Sequence, residues 1–293
     1  MAILNQIIIS GLAVGSVYAL MALAMSITYK ASEIPNFAQG EMAMISTYIA
    51  YVLLVVQGIS FIWAFFFSML FALLLGMALE FVFIRRAKEP NLLNLIIITL
   101  GFQMMLYGIA GWKWGADQKR LSMPFSESET YDLGGGIVVS QLGLATIGTA
   151  IVLMLIIWLF LRFTRLGLAM KASQQNAMAA RINGIRTNRI LSVSFGISSV
   201  VGAIAGMMVA PVTTLDPNMM WDPLLKGFAA AVLGGLTSLG GVVVGGYLLG
   251  IIENLFGFYI SLEFKSVVAF LIIVIVLYVR PSGLFGRHYV RKV

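Results

Sequence analysis

The chain has 293 residues, of which 60% are hydrophobic and 11% charged, and its formal charge is +7. So little polar surface excludes a water-soluble globule of this length and makes the bilayer the solvent. The Lys and Arg residues sit at the ends of apolar runs without an aromatic-interleaved basic face, Cys is absent and the single His288 lies in the tail, which argues against nucleic acid, thiolate metal sites and His-based catalysis.

The first apolar run, Ile7 to Tyr29, follows no cationic segment and is longer than the core of a cleaved signal, so it is read as a span at 6–29. Further spans are expected at 39–57, 60–82, 91–111, 142–162, 190–211 and 264–280. Each is near the roughly 20 residues that cross about 30 Å of hydrocarbon. The expected fold class is all-α: a polytopic transmembrane helical bundle of about eight or nine membrane segments, some discontinuous, forming a single domain over 1–293.

Between the first two spans lies KASEIPNFAQGE, Lys30 to Glu41. Pro35 disfavours helix at Ile34, and Asn36, Gln39 and Glu41 enter the next apolar run too early for lipid exposure, so they should face protein or water. Either this is a turn capped by Asn36, or Asn36 to Glu41 is an unwound segment on a polar route through the membrane. Glu80, close to Arg85, is read as an interfacial residue.

Arg85, Arg86 and Lys88 mark one short loop, the cluster Arg162 to Arg189 a second, and Arg280, Arg287, Arg291 and Lys292 the tail. The positive-inside rule puts all three in the cytoplasm. The loop 112–141 mixes Lys113, Lys119 and Arg120 with Asp117, Glu127, Glu129 and Asp132 and belongs outside. Counting back, the N-terminus is outside and the C-terminus inside.

The cytoplasmic segment 164–189 contains GLAMKASQQNAMAARING, charged and amide-rich between two apolar runs. Ser173 has the side-chain acceptor of an N-cap and Gly184 suits the position past a helix end, which predicts a short helix between them. Ala177, Met178, Ile182 and Ile185 fall near one face, with Gln174, Gln175, Asn176 and Arg181 around it. So short a helix is marginal alone, so it should pack on a membrane surface or on a partner; its amides and its sharp Gly positions favour a protein partner.

Gly234, Gly235, Gly240, Gly241, Gly245 and Gly246 punctuate the next apolar run, with Thr237 and Ser238 among them. They mark tight helix packing, a discontinuous helix whose freed backbone groups line a polar path, or both. Because the loop 211–222 should be external and the tail internal, the chain from Lys226 to Arg280 must cross an odd number of times, with one helix pair incomplete. Glu253, inside the apolar run, needs a partner, an interfacial position or a transport role.

GLAMKASQQNAMAARINGI followed by SFGISSVVGAIAG resembles the cytoplasmic coupling segment of the branched-chain amino acid family of bacterial ABC-importer permeases. NFAQGE at Asn36 to Glu41, AAAVLGGLTSLGGVVVGG at Ala229 to Gly246 and RPSGLFG at Arg280 to Gly286 agree with it, in the family's order and over nearly the whole chain. Within that family the chain is similar to the shorter, H-type subunit. Related sugar permeases carry a GIDLS-like stretch where this chain has Pro35 to Glu41.

The resemblance implies a permease subunit of an ATP-driven importer for Leu, Ile or Val in the bacterial inner membrane. Its implied partners are a second permease, two cytoplasmic ATPases and an extracytoplasmic substrate-binding protein, with lipid around it and no nucleic acid. No G-x-x-x-x-G-K-[ST] loop occurs, so ATP is expected on the partner subunits, no cofactor on this chain, and no enzyme activity of its own. Neither catalytic nor metal-binding residues are expected.

Ser173, Gln174, Asn176, Ala177, Met178, Arg181, Ile182, Gly184 and Ile185 would couple to the ATPases. Asn36, Phe37, Gln39, Gly40 and Glu41 with Gly234, Gly235, Thr237 and Ser238 would line the translocation path. The alternatives are a permease for another small solute, such as another amino acid, urea or an amide, or an ion-coupled secondary transporter centred on Glu253. An intramembrane enzyme lacks a His base or metal-ligand cluster.

Overall fold

The computed structural model describes residues 2–87, 91–126, 128–132 and 137–286. Lys88, Glu127, Arg287, His288, Arg291 and Lys292, used above in the charge argument, lie outside them, as does the side chain of Ala177.

The helices are α1 (Ala2–Ser32), α2 (Gln39–Tyr51), α3 (Phe61–Ala78), α4 (Leu92–Trp114), α5 (Gln141–Phe163), α6 (Arg165–Gln175), α7 (Ala177–Ile182), α8 (Thr187–Thr213), α9 (Trp221–Gly234), α10 (Leu239–Tyr259) and α11 (Lys265–Val279). The backbones of α2 and α3 run on into π-helical turns, Val52–Val56 and Leu79–Ile84. Among the described residues, 7 helices are long and apolar enough to cross a membrane, and Lys265–Val279 is a shorter apolar helix. This is an all-α, multi-pass membrane protein. Six of the seven expected spans appear within a few residues; the seventh, 264–280, is the shorter 15-residue α11, while α10, despite its glycines, is a 21-residue helix of spanning length.

The chain divides into two compact units. The first takes Met1–Ser26, Phe125–Ala150 and Asp222–Val293, the second Ile27–Pro124 and Ile151–Trp221, so α1 and α5 contribute to both.

In the first unit, glycines set helix spacing. Gly11 and Gly15 of α1 meet Gly246 and Gly250 of α10, and a Cβ at Gly250 would lie 2.5 Å from the Gly11 carbonyl oxygen. This is the small-xxx-small packing of membrane helices, which lets two backbones touch. A hairpin of β1 (Thr130–Asp132) and β2 (Val138–Ser140) pairs antiparallel, Tyr131 opposite Val139. Gln6 fastens it to α1, donating to the Val138 carbonyl at 2.7 Å and accepting the Val138 N–H at 2.8 Å.

In the second unit α2, α3 and α8 form the core. α3 buries Ala64, Ser68, Ala72 and Gly76, spaced four apart, and exposes Ile62, Trp63, Phe66, Phe67 and Leu74. Small residues inward and large apolar residues outward is the pattern of a helix solvated by lipid. A Cβ at Gly76 would lie 2.4 Å from the Phe195 carbonyl oxygen, so only glycine allows α8 this close. Ser68 Oγ also donates to the Ser46 carbonyl of α2 at 2.5 Å, removing the cost of a buried hydroxyl.

Candidate translocation path and coupling segment

α1 ends at Ser32, Glu33 turns the chain with φ +60°, and the backbone leaves helix before Pro35. Re-entry is organised by side chains. Asn36 Oδ1 accepts the Ala38 N–H at 3.1 Å, and its amide donates to Gln39 Oε1 at 3.3 Å and to Met42 Sδ at 3.5 Å. Gln39 reaches α8: its Nε2 donates to the Ser198 carbonyl at 3.0 Å, and its Oε1 accepts from Ser198 Oγ at 3.0 Å. Asn36, Gln39, Gly40 and Glu41 are all buried, and Phe37 is half-buried. The polar residues thus face protein, as expected, and the interruption is a matched side-chain network. Glu41 accepts from Gln103 Nε2 of α4 at 2.9 Å.

The second interruption, Gly235 to Ser238 in the first unit, is built from backbone. Gly235 has φ +93°. The last carbonyls of α9 are not left open: Leu233 O accepts the Leu284 N–H at 2.8 Å and Gly234 O the Phe285 N–H at 3.1 Å. Leu236 O accepts from Ser26 Oγ at 2.7 Å, and Ser238 Oγ caps α10 by accepting the Gly241 N–H at 3.1 Å. Break and tight packing, both of which the glycines allow, coexist here. The RPSGLFG motif at Arg280 to Gly286 acquires a structural part as the segment that closes this turn. Of the candidate path residues here, Gly234 and Gly235 are buried, Ser238 is half-buried and Thr237 is exposed.

The coupling segment departs from its expected form. Instead of one helix capped by Ser173 there are two, α6 and α7, and Ser173 lies inside α6. Thr164 caps α6 by accepting the Gly167 N–H at 3.0 Å, and Asn176 caps α7 by accepting the Ala179 N–H at 2.9 Å. Both caps have extended backbone, with ψ of 151° and 103°, as a cap requires, whereas no breaker separates Arg165 from Gln175 to delay the helix to Ser173. The C-terminal expectation is met: Gly184, at φ +79°, donates to Arg181 O and Ile185 donates to Ala180 O, the paired bonds of a Schellman motif. Gln174 is half-buried in the last turn of α6. Met178 and Ile182, one turn apart, are 69% and 79% exposed, while Arg181 Nε donates to Thr187 Oγ1 at the start of α8 at 2.8 Å. The short helix is thus tied to a spanning helix and presents an apolar edge outward.

Two of the buried carboxylates have cations. Glu80 meets Arg85 through Oε2···Nη2 at 2.7 Å and Oε1···Nε at 3.1 Å, and Arg85 also donates to Ser192 Oγ and the Asn188 carbonyl of α8. Glu80 is itself buried, and this network with Arg85 and α8 stands in for its water. Glu253 lies 2.5 Å from Lys226 Nζ, which also meets Asp222 at 2.7 Å. Pairing therefore accounts for the Glu253 charge. Lys226, Gln103 and Ser198 were not picked out from sequence. Gln103, the lone amide in the middle of α4, offered a signal; the Lys226–Glu253 pairing joins positions 27 apart in the chain and offered none.

The family model described as branched-chain amino acid transport system / permease component matches residues 7–277. The chain is 30% identical to the high-affinity branched-chain amino acid transport system permease protein LivH of Escherichia coli K12, over 98% of this chain and 97% of that one. It is equally 30% identical to the corresponding permease protein BraD of Pseudomonas aeruginosa, with the same coverages. Among solved structures, PsaBC from Streptococcus pneumoniae in complex with Fab matches with a TM-score of 0.53 at 13% identity, covering 93% of this chain and 91% of that one, a likeness of fold alone. On the strength of a match running from residue 7 to residue 277, the chain belongs to the branched-chain amino acid transport system permease component family.

Proposed function

We propose that this chain is the permease subunit of an ATP-driven ABC importer that moves Leu, Ile or Val into the cytoplasm, in the H-type position of a permease pair. It sits in the inner membrane with its N-terminus outside and its C-terminus in the cytoplasm, a reading supported by the positive-inside rule applied to its cationic loops. A second permease completes the pathway, an extracytoplasmic binding protein delivers the amino acid, and two cytoplasmic ATPases hold the ATP; this subunit needs no cofactor of its own. The observation that carries the reading is the exposed apolar edge of α7, in a chain matched to the family over residues 7–277. Met178 and Ile182 are the contact with the ATPase, and closure of the ATPases is passed through Arg181 and Thr187 to α8. Asn36, Phe37, Gln39, Gly40 and Glu41, and Gly234, Gly235, Thr237 and Ser238, are the proposed path residues in their respective units.

The test is uptake into proteoliposomes carrying the full complex, with and without ATP inside. Accumulation of leucine, isoleucine or valine only with ATP is the expected result; ATP-independent flux through this chain alone would point to a secondary transporter instead. Ile182→Glu should lower ATP-driven uptake roughly tenfold or more, the scale of one buried apolar anchor, while membrane insertion is retained. Normal uptake by that variant would remove α7 from the coupling role.

A further inference from the structure

The three buried glutamates among the described residues are not treated alike. Glu80 has Arg85 and Glu253 has Lys226, but no ion pair reaches Glu41 among the described residues. Its Oε1 accepts a neutral amide N–H from Gln103, and its Oε2 has no hydrogen-bond partner among them. The two other buried amide side chains at this turn are committed elsewhere: Asn36 to Gln39, and Gln39 to Ser198. Burial of Glu41 is nearly complete, at 3% exposure, inside a helix that qualifies as a membrane span.

A carboxylate in such a place is expensive unless something cationic answers it, and intramembrane acids that persist without a fixed partner characteristically face a route taken by a mobile one. The other two glutamates establish that the fold provides a base where the charge is structural. Position 41 is instead in the first turn of α2, where a helix best tolerates negative charge, and one oxygen keeps its lone pairs free. Ile45 and Tyr48, one and two turns on, continue the same buried face, and Tyr48 stacks on Trp114 of α4 with ring centroids 4.6 Å apart. The α2–α4 seam is therefore apolar and aromatic toward one end and carries an acceptor at the other, which complements a small amino acid with an aliphatic side chain.

We infer that Glu41 Oε2 is the acceptor for the α-ammonium group of the amino acid in transit, with Gln103 holding the carboxylate in place. This rests on the proposed amino-acid permease function. Access requires α4 to part from α2 near Gln103, a seam whose polar bond at this level is the Gln103–Glu41 contact. The charge of the carboxylate favours an ammonium donor over the neutral N–H groups of amides and urea, which would gain less at this position.

The experiment compares the parent complex with Glu41→Gln and Glu41→Asp in proteoliposomes, reading initial uptake of radiolabelled leucine alongside ATPase stimulation by the loaded binding protein. Glu41→Gln keeps the size and one carbonyl acceptor that Gln103 can still meet, but it replaces the other oxygen with an NH2 donor and removes the charge. Its uptake should fall about tenfold or more, the scale of one charge-assisted hydrogen bond, while ATPase stimulation persists. Glu41→Asp, which keeps the charge on a shorter arm, should recover part of that uptake with a raised half-saturation concentration. Parent-like uptake by Glu41→Gln would overturn the inference, because a neutral group would then suffice. So would failure of Glu41→Gln to assemble, or equal loss of uptake in both variants, either of which would make the carboxylate structural. Absence of ATP-dependent amino-acid uptake in the parent complex would instead overturn the functional reading itself.

Discussion

The two helix interruptions solve one problem by opposite means. At 33–38 the backbone groups freed near Pro35 are organised by side chains, Asn36 and Gln39, that reach along α2 and across to α8. At 235–238 side chains contribute little beyond Ser238 and Ser26, and the carbonyls of α9 are met by the main chain of Leu284 and Phe285. A side-chain network tolerates changes of size where space exists but fails when a partner is removed. A backbone joint has no side-chain partner to lose but fails when volume is added. That distinction is directly testable.

The largest effect is expected at the backbone joint. Gly235 has φ +93°, and a Cβ there would lie 2.7 Å from both the Gly286 nitrogen and the Ser282 carbonyl oxygen. Gly235→Leu combines left-handed strain with overpacking against main chain that cannot swing aside, for a cost of about 3–5 kcal/mol. The measurement is the midpoint of heat-induced loss of the monodisperse peak of the detergent-solubilised complex. A parent-like midpoint would mean that the joint opens readily, contrary to its packing.

At the side-chain network the expected loss is smaller. Gln39→Leu keeps most of the volume but deprives Ser198 Oγ and Asn36 of their shared acceptor and leaves the Ser198 carbonyl without the Gln39 amide, at a cost of about 2–3 kcal/mol. The same thermal assay should place this variant between Gly235→Leu and the parent. Reversal of that order would mean that the first interruption depends more on its partners than the second does on its space.

The sequence made the spans legible because long apolar runs and terminal charges are properties of single segments. It also located both interruptions, since Pro35 and the paired glycines act on their own neighbours. What it left open were choices among local equivalents and pairings across the chain. Ser173, Asn176 and Thr164 can all cap a helix; only backbone geometry selects the last two and puts Ser173 inside α6. Glu41 was recognised as out of place in an apolar run, but its match to Gln103, and the contrast with the cation-paired Glu80 and Glu253, required residues 62 positions apart to be brought together. The role of Arg280 to Gly286 as the closing strap of the glycine turn was likewise invisible, because a motif of Pro and Gly specifies a turn without saying what docks on it.

The smallest effect sharpens the comparison most. Ser238 is the residue where the backbone joint does use a side chain to start a helix, its Oγ accepting the Gly241 N–H at 3.1 Å. Ser238→Ala should cost about 1 kcal/mol, the ordinary loss of an N-cap. A loss on that scale would mean that the remaining contacts of the joint, supplied by main chain and by Ser26, stand independently of this cap. A loss as large as that of Gln39→Leu would mean that Ser238 organises its neighbours as Asn36 and Gln39 do, and the second interruption would then be a side-chain network too. Since a Cβ added at Gly241 would meet both the Gly234 carbonyl oxygen and Ser238 Oγ, the cap and the close packing share the same few atoms, and Ser238→Ala removes the cap while leaving the glycine contact in place.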